Sequence, residues 1–473
     1  MAENHPTETI TELVHEKSVE VLGDVGFCVP DDGILRRLES AGFPVDRQTQ
    51  MVRITPELLE EALSTLPKEV RLYGRGGEAV DKFGSESCFM GAGTPVNVFD
   101  LDSGRRRDAT WKDVRQLVTI QDALPQVDIV RPTVTATDLG TSSDLVEIAE
   151  ALRSTGKPIV HRTLSPERVD AAAEMLVTVA GGAEAFRTRP NFATLYCPIS
   201  PGYFTPENIH CMLRWAEYGV PITLLSMAMG GASAPATLLG ELIVINADIL
   251  AWIVALQILY PRTPLIYGSV SAVLDMRTGL LPLGAPERGM INSGAAMMGH
   301  FYGIPSMCGG LSSDAKELDA QAGFEKVNTA IPLLQQRTTI IYGVGATDAG
   351  STISYTQMIF DDEIIAGVRR MWQGIPLHDV SEEVALIKSL TPKGNFMSAK
   401  HTRRNYKTHW YPQIISRDTY ETWKEKGESI ESLCRRKAQD ILASHKPPAL
   451  SSSKEAELET IIRRYIPDFR FQS

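Results

Sequence analysis

Between Gly309 and Lys326 the chain gathers Ser312, Ser313, Asp314, Lys316, Glu317, Asp319 and Gln321 within ten residues. They follow a short apolar run, Ile304 to Cys308, that predicts a buried strand. Polar density just after a buried strand is where α/β proteins place their chemistry. Gly309 and Gly310 let the backbone turn there or approach a ligand closely. The plainer alternative is a solvated loop with Ser or Asp as the N-cap of the next helix. Lys316 invites a Schiff-base reading, but nothing in the loop's sequence would depress its pKa. Other strand-like runs end in His161-Arg162-Thr163, in Tyr196-Cys197-Pro198 followed by Tyr203 and Phe204, and in Tyr267-Gly268-Ser269. A further one ends in Tyr342-Gly343-Val344-Gly345, followed by Asp348, Ser351 and Tyr355. On one rim, these aromatics would suit a quaternary ammonium. Any one tyrosine can instead pack over a helix end with its hydroxyl wet.

Several chemistries find no support. His300 and Cys308 lie close in sequence, but no second pair completes zinc-like spacing, so no metal is expected. There is no Gly-x-Ser-x-Gly elbow and no Walker loop. Gly74-Arg75-Gly76-Gly77-Glu78-Ala79 imitates a dinucleotide fingerprint, but Gly84 interrupts before a helix could follow.

The elements that must position these residues follow a rhythm. Strand-like runs occur at Cys88–Phe99 (with a turn inside it), Val127–Val134, Pro158–Arg162, Asn191–Pro198, Pro221–Met227, Pro264–Val270, Ile304–Cys308 and Thr339–Val344. Helical patterns lie between them, including Asp144–Ser154, Pro166–Val179, Pro206–Tyr218, Ala236–Leu259 and Ala285–Tyr302. Alternation of this kind predicts parallel βαβ units, and eight repeats predict a closed (β/α)8 TIM barrel, with an open doubly wound sheet as the alternative. Thr7 to about Leu66 reads as a helical layer, with Thr55-Pro56-Glu57 as a helix start. The expected division is 1–87 for an N-terminal helical and small-strand layer, 88–355 for the barrel, and 356–473 for a C-terminal helical extension. Within that extension Lys400 to Tyr411 is locally basic.

The 473 residues, 43% hydrophobic and 22% charged, suffice for a barrel with additions. A net charge of -11 argues against nucleic acid as the main partner. The six cysteines form no Cys-x-x-Cys pair and read as separate apolar residues in a reducing compartment. Met1 to Thr11 lacks a signal-peptide pattern. The apolar stretch Leu238 to Leu259 is broken by Glu241, Asn246, Asp248 and Gln257, so it reads as a buried helix rather than a membrane span. A cytoplasmic location is expected.

Taken together, these stretches resemble the trimethylamine methyltransferase family of corrinoid-dependent enzymes. The resemblance rests on Gly93-Thr94-Pro95 with Asp100, Thr110-x-x-Asp113, and Leu124-Pro125 with Asp128. Its strongest part is Gly310-Leu311-Ser312-Ser313-Asp314-Ala315-Lys316 with Asp319-Ala320-Gln321-Ala322-Gly323-Phe324-Glu325. Asp361-Asp362-Glu363, His401-Thr402 and Trp423 extend it to most of residues 10–445. It implies a (β/α)8 barrel, a small methylated amine as substrate and a separate corrinoid protein as methyl acceptor, with no cofactor bound by this chain. The trimethylamine enzymes carry pyrrolysine in the barrel, whereas this sequence has only standard residues. Members without pyrrolysine resemble quaternary-amine demethylases, with glycine betaine the first candidate and proline betaine, carnitine or trimethylamine behind it. A Schiff-base lyase and a non-catalytic betaine-binding protein are the rival classes.

A quaternary ammonium leaves as a neutral amine and needs no proton. The protein must then bind the cation, orient one methyl group and exclude water. On that reading Asp314 and Gln321 are the expected catalytic residues. Tyr196, Tyr203, Phe204, Tyr267, Tyr355, Arg162, Lys316 and Glu317 are expected to bind substrate. Arg403 and Arg404 are expected to dock the corrinoid protein, and a homo-oligomer is allowed.

Overall fold

Eight short runs dominated by apolar and small residues become the staves of one parallel barrel. The structure is a computed structural model and describes residues 7–80, 86–392 and 394–471. The strands are β1 (Cys88–Gly91), β2 (residues 129–130), β3 (Ile159–Val160), β4 (Phe192–Tyr196), β5 (Ile222–Ser226), β6 (Leu265–Ser269), β7 (Ser306–Gly309) and β8 (Ile340–Val344). From β3 to β8 each strand pairs in parallel with the next, and β8 pairs with β1. The circle closes through β2, whose Ile129 bridges Met90 and whose Val130 bridges Ile159. The amide of Asp128 donates to Phe89 at 2.9 Å and that of Val160 to Val130 at 3.0 Å. The closed barrel expected from the alternation is therefore present, and the open sheet is not. The run Cys88–Phe99 divides at its turn. Its second half, Asn97–Phe99, joins a separate four-stranded sheet with Arg106–Asp108, Ala346–Thr347 and Thr352–Ser354.

Each strand is followed by its helix: α1 (Trp111–Ala123), α2 (Ser143–Ser154), α3 (Pro166–Ala180), α4 (Pro206–Glu217), α5 (Leu238–Leu259), α6 (Pro286–Phe301), α7 (Ala320–Gln335) and α8 (Tyr355–Trp372). Their starts follow local chemistry. Thr205 and Thr237 cap α4 and α5 through their side-chain oxygens, and proline opens α3, α4 and α6. Helix α8, assigned from sequence to the extension, is the barrel's eighth helix. Helix α5 is apolar on all sides because the N-terminal layer packs on its outer face. It is long and apolar enough to cross a membrane, yet 78% of its most apolar window is buried inside the protein.

Alternation along the strands divides the core in two. Cys88, Met90, Ile129, Val160, Ala193, Leu195, Leu225, Ile266, Met307 and Ile340 fill the barrel. Val70 and Leu72, from the segment before β1, join that cluster and seal the N-terminal end. Phe89, Ile159, Phe192, Tyr196, Leu224, Tyr267 and Ile341 face the helices instead. The expected helix start at Thr55-Pro56 is present, with Thr55 accepting from the Leu58 amide. The rejected fingerprint is a turn bridged by Tyr73 and Ala79, and Gly84 lies outside the described residues. In the extension, Tyr420–Lys426 and Ile430–Ser444 are two helices divided at left-handed Gly427. Ile430–Ser444 packs on α8 and α1, and Ser452–Arg463 packs on α3.

A fully buried ion pair pins β8 in place. Lys326 of α7 and Asp361 of α8 are both inaccessible, with Nζ 2.8 Å from the carboxylate. The same carboxylate accepts from the Gly345 amide at 2.7 Å and from Gln357 at 2.8 Å, while Lys326 reaches the Gly343 carbonyl. Gly343 has φ +154, and a Cβ there would stand 2.0 Å from the Gly310 carbonyl oxygen. Only glycine lets β8 pass so close to the end of β7.

Candidate active site at the barrel mouth

Active sites of this architecture form at the C-terminal ends of the strands. The inward set can be followed upward two residues at a time. Above Ile129 comes Arg131, above Val160 comes Arg162, above Leu195 comes Cys197, and above Ile340 comes Tyr342. These four meet. The Arg131 guanidinium lies over the Tyr342 ring, 5.4 Å from its centroid. Burial first, and the positive charge of Arg162 as well, push the Arg131 pKa down, while Tyr342 opposes the shift. Burial pushes the Cys197 thiol up, and Arg162 and Arg131 pull it back. Arg162 is exposed and Tyr342 half-buried, so the mouth is open to solvent above a buried floor.

Arg131 is 3% exposed, yet its Nε and Nη1 have no hydrogen-bond partner. A buried guanidinium ordinarily satisfies its donors, because leaving them bare costs several kcal/mol. A second buried arginine approaches from α6. Arg288 donates to the Val270 carbonyl at 2.8 Å, has an unpartnered Nε, and comes so close to Gly309 that a Cβ there would sit 2.4 Å from Nη2. Burial pushes its pKa down to about 10. Guanidiniums on a low-dielectric floor create a positive potential and present paired donors that match a carboxylate. Sequence reasoning named Arg162 but missed Arg131. The available signal was an arginine two residues beyond an inward-facing Ile129 in an otherwise apolar run.

The expected aromatic cage does not form. Tyr196 and Tyr267 occupy outward positions of β4 and β6 and are buried beneath helices. The Tyr196 hydroxyl meets Thr163 at 2.9 Å, and that of Tyr267 donates to Asn246 at 3.1 Å. Phe204 packs on Trp252 in the helix layer. Tyr203 is half-buried where the loop after β4 bridges Cys28 of the N-terminal layer. Tyr355 begins α8, and its hydroxyl donates to Asp113 at 2.8 Å and Gln116 at 2.9 Å. For Tyr196 and Tyr267 the physical reason is register: strand residues fall inside or outside by period two, and these fall outside.

The polar loop after β7 largely satisfies itself. Glu325 receives the Ser313 hydroxyl at 2.7 Å, the Asp314 amide at 2.8 Å and the Gln321 side chain at 2.9 Å. Asp314 accepts from the Leu283 amide at 2.7 Å and the Gly284 amide at 3.1 Å, tying two loops together. Burial raises its pKa against those bonds. Asp319 caps α7 through the Ala322 amide. Gln321 is exposed, as is Lys316, whose ammonium donates to the Asp314 carbonyl. Lys316, Glu317 and Tyr355 do share one cleft of about 290 Å3, lined also by Asp100 from the segment after β1 and by Arg435 of the C-terminal extension. Asp314 and Gln321 are thus engaged in loop support, and an exposed Lys316 lacks the desolvation a Schiff-base lysine requires. Arg403 and Arg404 are exposed on an arm that leaves the barrel after α8. Because α8 runs antiparallel to β8, it delivers that arm to the closed end, away from the mouth. Among the described residues no group of three or more His, Cys, Asp or Glu is arranged to hold a metal ion.

One buried carboxylate near the rim stands apart. Glu241, in the first turn of α5, is inaccessible and packs against Gly230 without a well-formed bond to either oxygen. Burial pushes its pKa up to about 7, with the Gly230 backbone opposing. A carboxyl raised in the folded state contributes stability that is present below its unfolded pKa near 4.5 and lost as pH rises through 7. Glu241→Gln removes that loss. The advantage of the variant in melting experiments should grow between pH 4.5 and pH 8, by on the order of 2–3 kcal/mol. Parallel pH profiles for the two proteins would contradict this.

A family model described as trimethylamine methyltransferase (MTTB) matches residues 3–467. The chain belongs to this family. It is 31% identical over 471 residues to a trimethylamine methyltransferase of Methanosarcina barkeri, covering 97% of this chain and 94% of that protein. It is 29% identical over 462 residues to a glycine betaine methyltransferase of Desulfitobacterium hafniense strain Y51, covering 96% of each. The crystal structure of the Methanosarcina barkeri monomethylamine methyltransferase superposes with a TM-score of 0.51 at 15% identity over 92% of each chain, a likeness of fold. Membership in the family makes this chain a methyltransferase acting on a methylated amine.

Proposed function

We propose that this methyltransferase demethylates a quaternary amine that carries a carboxylate, with glycine betaine as the substrate, and passes the methyl group to a separate corrinoid protein. The observation that carries the reading is the buried Arg131, two residues beyond the inward-facing Ile129, whose Nε and Nη1 have no hydrogen-bond partner. Trimethylamine offers no anion to meet them; a betaine does. The corrinoid, held by the partner protein, supplies the Co(I) nucleophile that takes the methyl group.

The residues of this chain bind and orient. Arg131, with Arg162 above it, holds the carboxylate, and the Tyr342 ring beneath the Arg131 guanidinium steadies it. With one end fixed at the floor, the trimethylammonium end points toward the open mouth, where the acceptor arrives. The C–N bond breaks with its electron pair going to nitrogen, so the dimethylamino product departs neutral and no general acid is needed. Positioning and water exclusion are the protein's main contributions. The six unpaired cysteines agree with a reducing, cytoplasmic setting.

Ligand-induced thermal shifts test the binding step. Glycine betaine should raise the melting temperature, because a ligand specific for the folded state stabilises it. Choline and tetramethylammonium, which share the cation but lack the anion, should not. Equal shifts for all three would remove the carboxylate from recognition.

A further inference from the structure

Arg288 belongs to a helix, yet its charged end stands inside the barrel mouth. Helix α6 starts at Pro286, so Arg288 lies in its first turn, at the height where the strands end. Its Nη1 donates to the carbonyl of Val270, a residue of the barrel's interior cluster. On the next strand Met307 points inward, so Gly309, two residues on, does too. A Cβ at Gly309 would collide with Arg288 Nη2. The guanidinium therefore takes the place of an inward side chain at the top of β7. It is 2% exposed, with Nε unpartnered. Asp314 lies within reach of its charge, but both Asp314 oxygens take backbone amides, from Leu283 and Gly284. Around the barrel the order is β2, β1, β8, β7, β6. Arg131 and Arg162 follow β2 and β3, so Arg288, entering between β6 and β7, faces them from nearly the opposite wall. The bore of an eight-stranded barrel has room for one small ligand between such walls.

We propose that Arg288 speeds methyl transfer electrostatically, by setting its positive charge against the quaternary nitrogen of the bound substrate. The inference rests on the carboxylate reading above. With the carboxylate held by Arg131 and Arg162, the ammonium end extends toward the wall that Arg288 occupies. In the transfer the C–N bond breaks and its electron pair stays on nitrogen. The methyl carbon takes an electron pair from the acceptor's Co(I), which is oxidised to Co(III). Nitrogen thus passes from a fixed positive charge to a neutral lone pair. A guanidinium beside it repels the bound cation and attracts the developing lone pair. It therefore raises the ground state and lowers the transition state, the combination that increases kcat. Burial strengthens both effects, because charges interact several-fold more strongly within a protein than in water.

The compound 3,3-dimethylbutanoate is glycine betaine with carbon in place of the charged nitrogen, and its binding tests the inference without turnover. In calorimetric titration the natural protein should bind it at least as tightly as glycine betaine. Arg288→Met should tighten glycine betaine by about 10-fold or more and leave 3,3-dimethylbutanoate unchanged. Unchanged binding of the neutral ligand also shows that the site of the variant is folded. With cob(I)alamin as acceptor, Arg288→Met should lower kcat on the order of 100-fold while KM for glycine betaine falls. Arg288→Lys keeps the charge and should retain most of the rate. Tighter binding of glycine betaine than of the neutral ligand by the natural protein would overturn the inference and leave carboxylate recognition standing. So would weaker binding of both ligands by Arg288→Met, which would make Arg288 a second ligand of the carboxylate. Arg288→Lys as slow as Arg288→Met would also overturn it. A natural protein that binds neither ligand would instead sink the carboxylate reading, and this inference with it.

Discussion

Arg131→Met should raise the KM for glycine betaine by roughly 30- to 1000-fold, the equivalent of about 2–4 kcal/mol for a buried charge-assisted contact. The loss should appear in KM more than in kcat at saturating substrate, because the carboxylate contact is made in both the ground state and the transition state. Arg131→Lys should fall between the two, since an ammonium keeps the charge but loses the planar fork. Stability should move the other way. The wild-type guanidinium is 3% exposed with Nε and Nη1 bare, so replacing it by an apolar chain removes a desolvated cation. The methionine variant should melt at or above the wild-type temperature without ligand, and lose the shift that glycine betaine induces. A variant that binds glycine betaine normally would remove Arg131 from the substrate site. One that unfolds would make it a scaffold residue.

The second large effect concerns the scaffold that brings Tyr342 to the mouth. Lys326→Met leaves Asp361 ionised or forced neutral in a site with no solvent access, and should destabilise the fold by about 3–5 kcal/mol. Activity should fall with the folded fraction, because the same pair holds the backbone at Gly343 and Gly345 beside the mouth. Lys326→Met/Asp361→Asn should recover part of the loss. It removes the orphaned charge while keeping an acceptor for the Gly345 amide. A single variant within about 1 kcal/mol of wild type would show that the pair is no more than a surface-strength interaction.

Much of the fold was legible in the sequence, because a barrel strand announces itself as an apolar run and its helix as a capped amphipathic one. The site was legible only in part. Tyr196 ends its strand and Tyr267 stands at the centre of its own, but their neighbours Leu195 and Ile266 take the interior, which puts both rings under the helices. Arg131 was concealed by the opposite effect, one charged residue in a run otherwise fit for a buried strand. Three acidic residues of the motifs that carry the family resemblance, Asp113, Asp362 and Glu363, act as supports. Asp113 forms a capping box with Thr110 and is gripped by Arg107 at 2.8 Å. Asp362 accepts the Gln126 amide, and Glu363 accepts the amides of Gln413, Ile414 and Ile415. Such residues satisfy backbone donors that the barrel's loops would otherwise leave bare. They identify the scaffold and leave the substrate to the residues at its mouth.

The most direct measurement is methylation of a reduced corrinoid protein, or of free cob(I)alamin, by this chain with glycine betaine, choline and trimethylamine supplied in turn. Transfer from glycine betaine, yielding dimethylglycine, is expected, with little from choline or trimethylamine. Transfer from trimethylamine or choline with none from glycine betaine would contradict it.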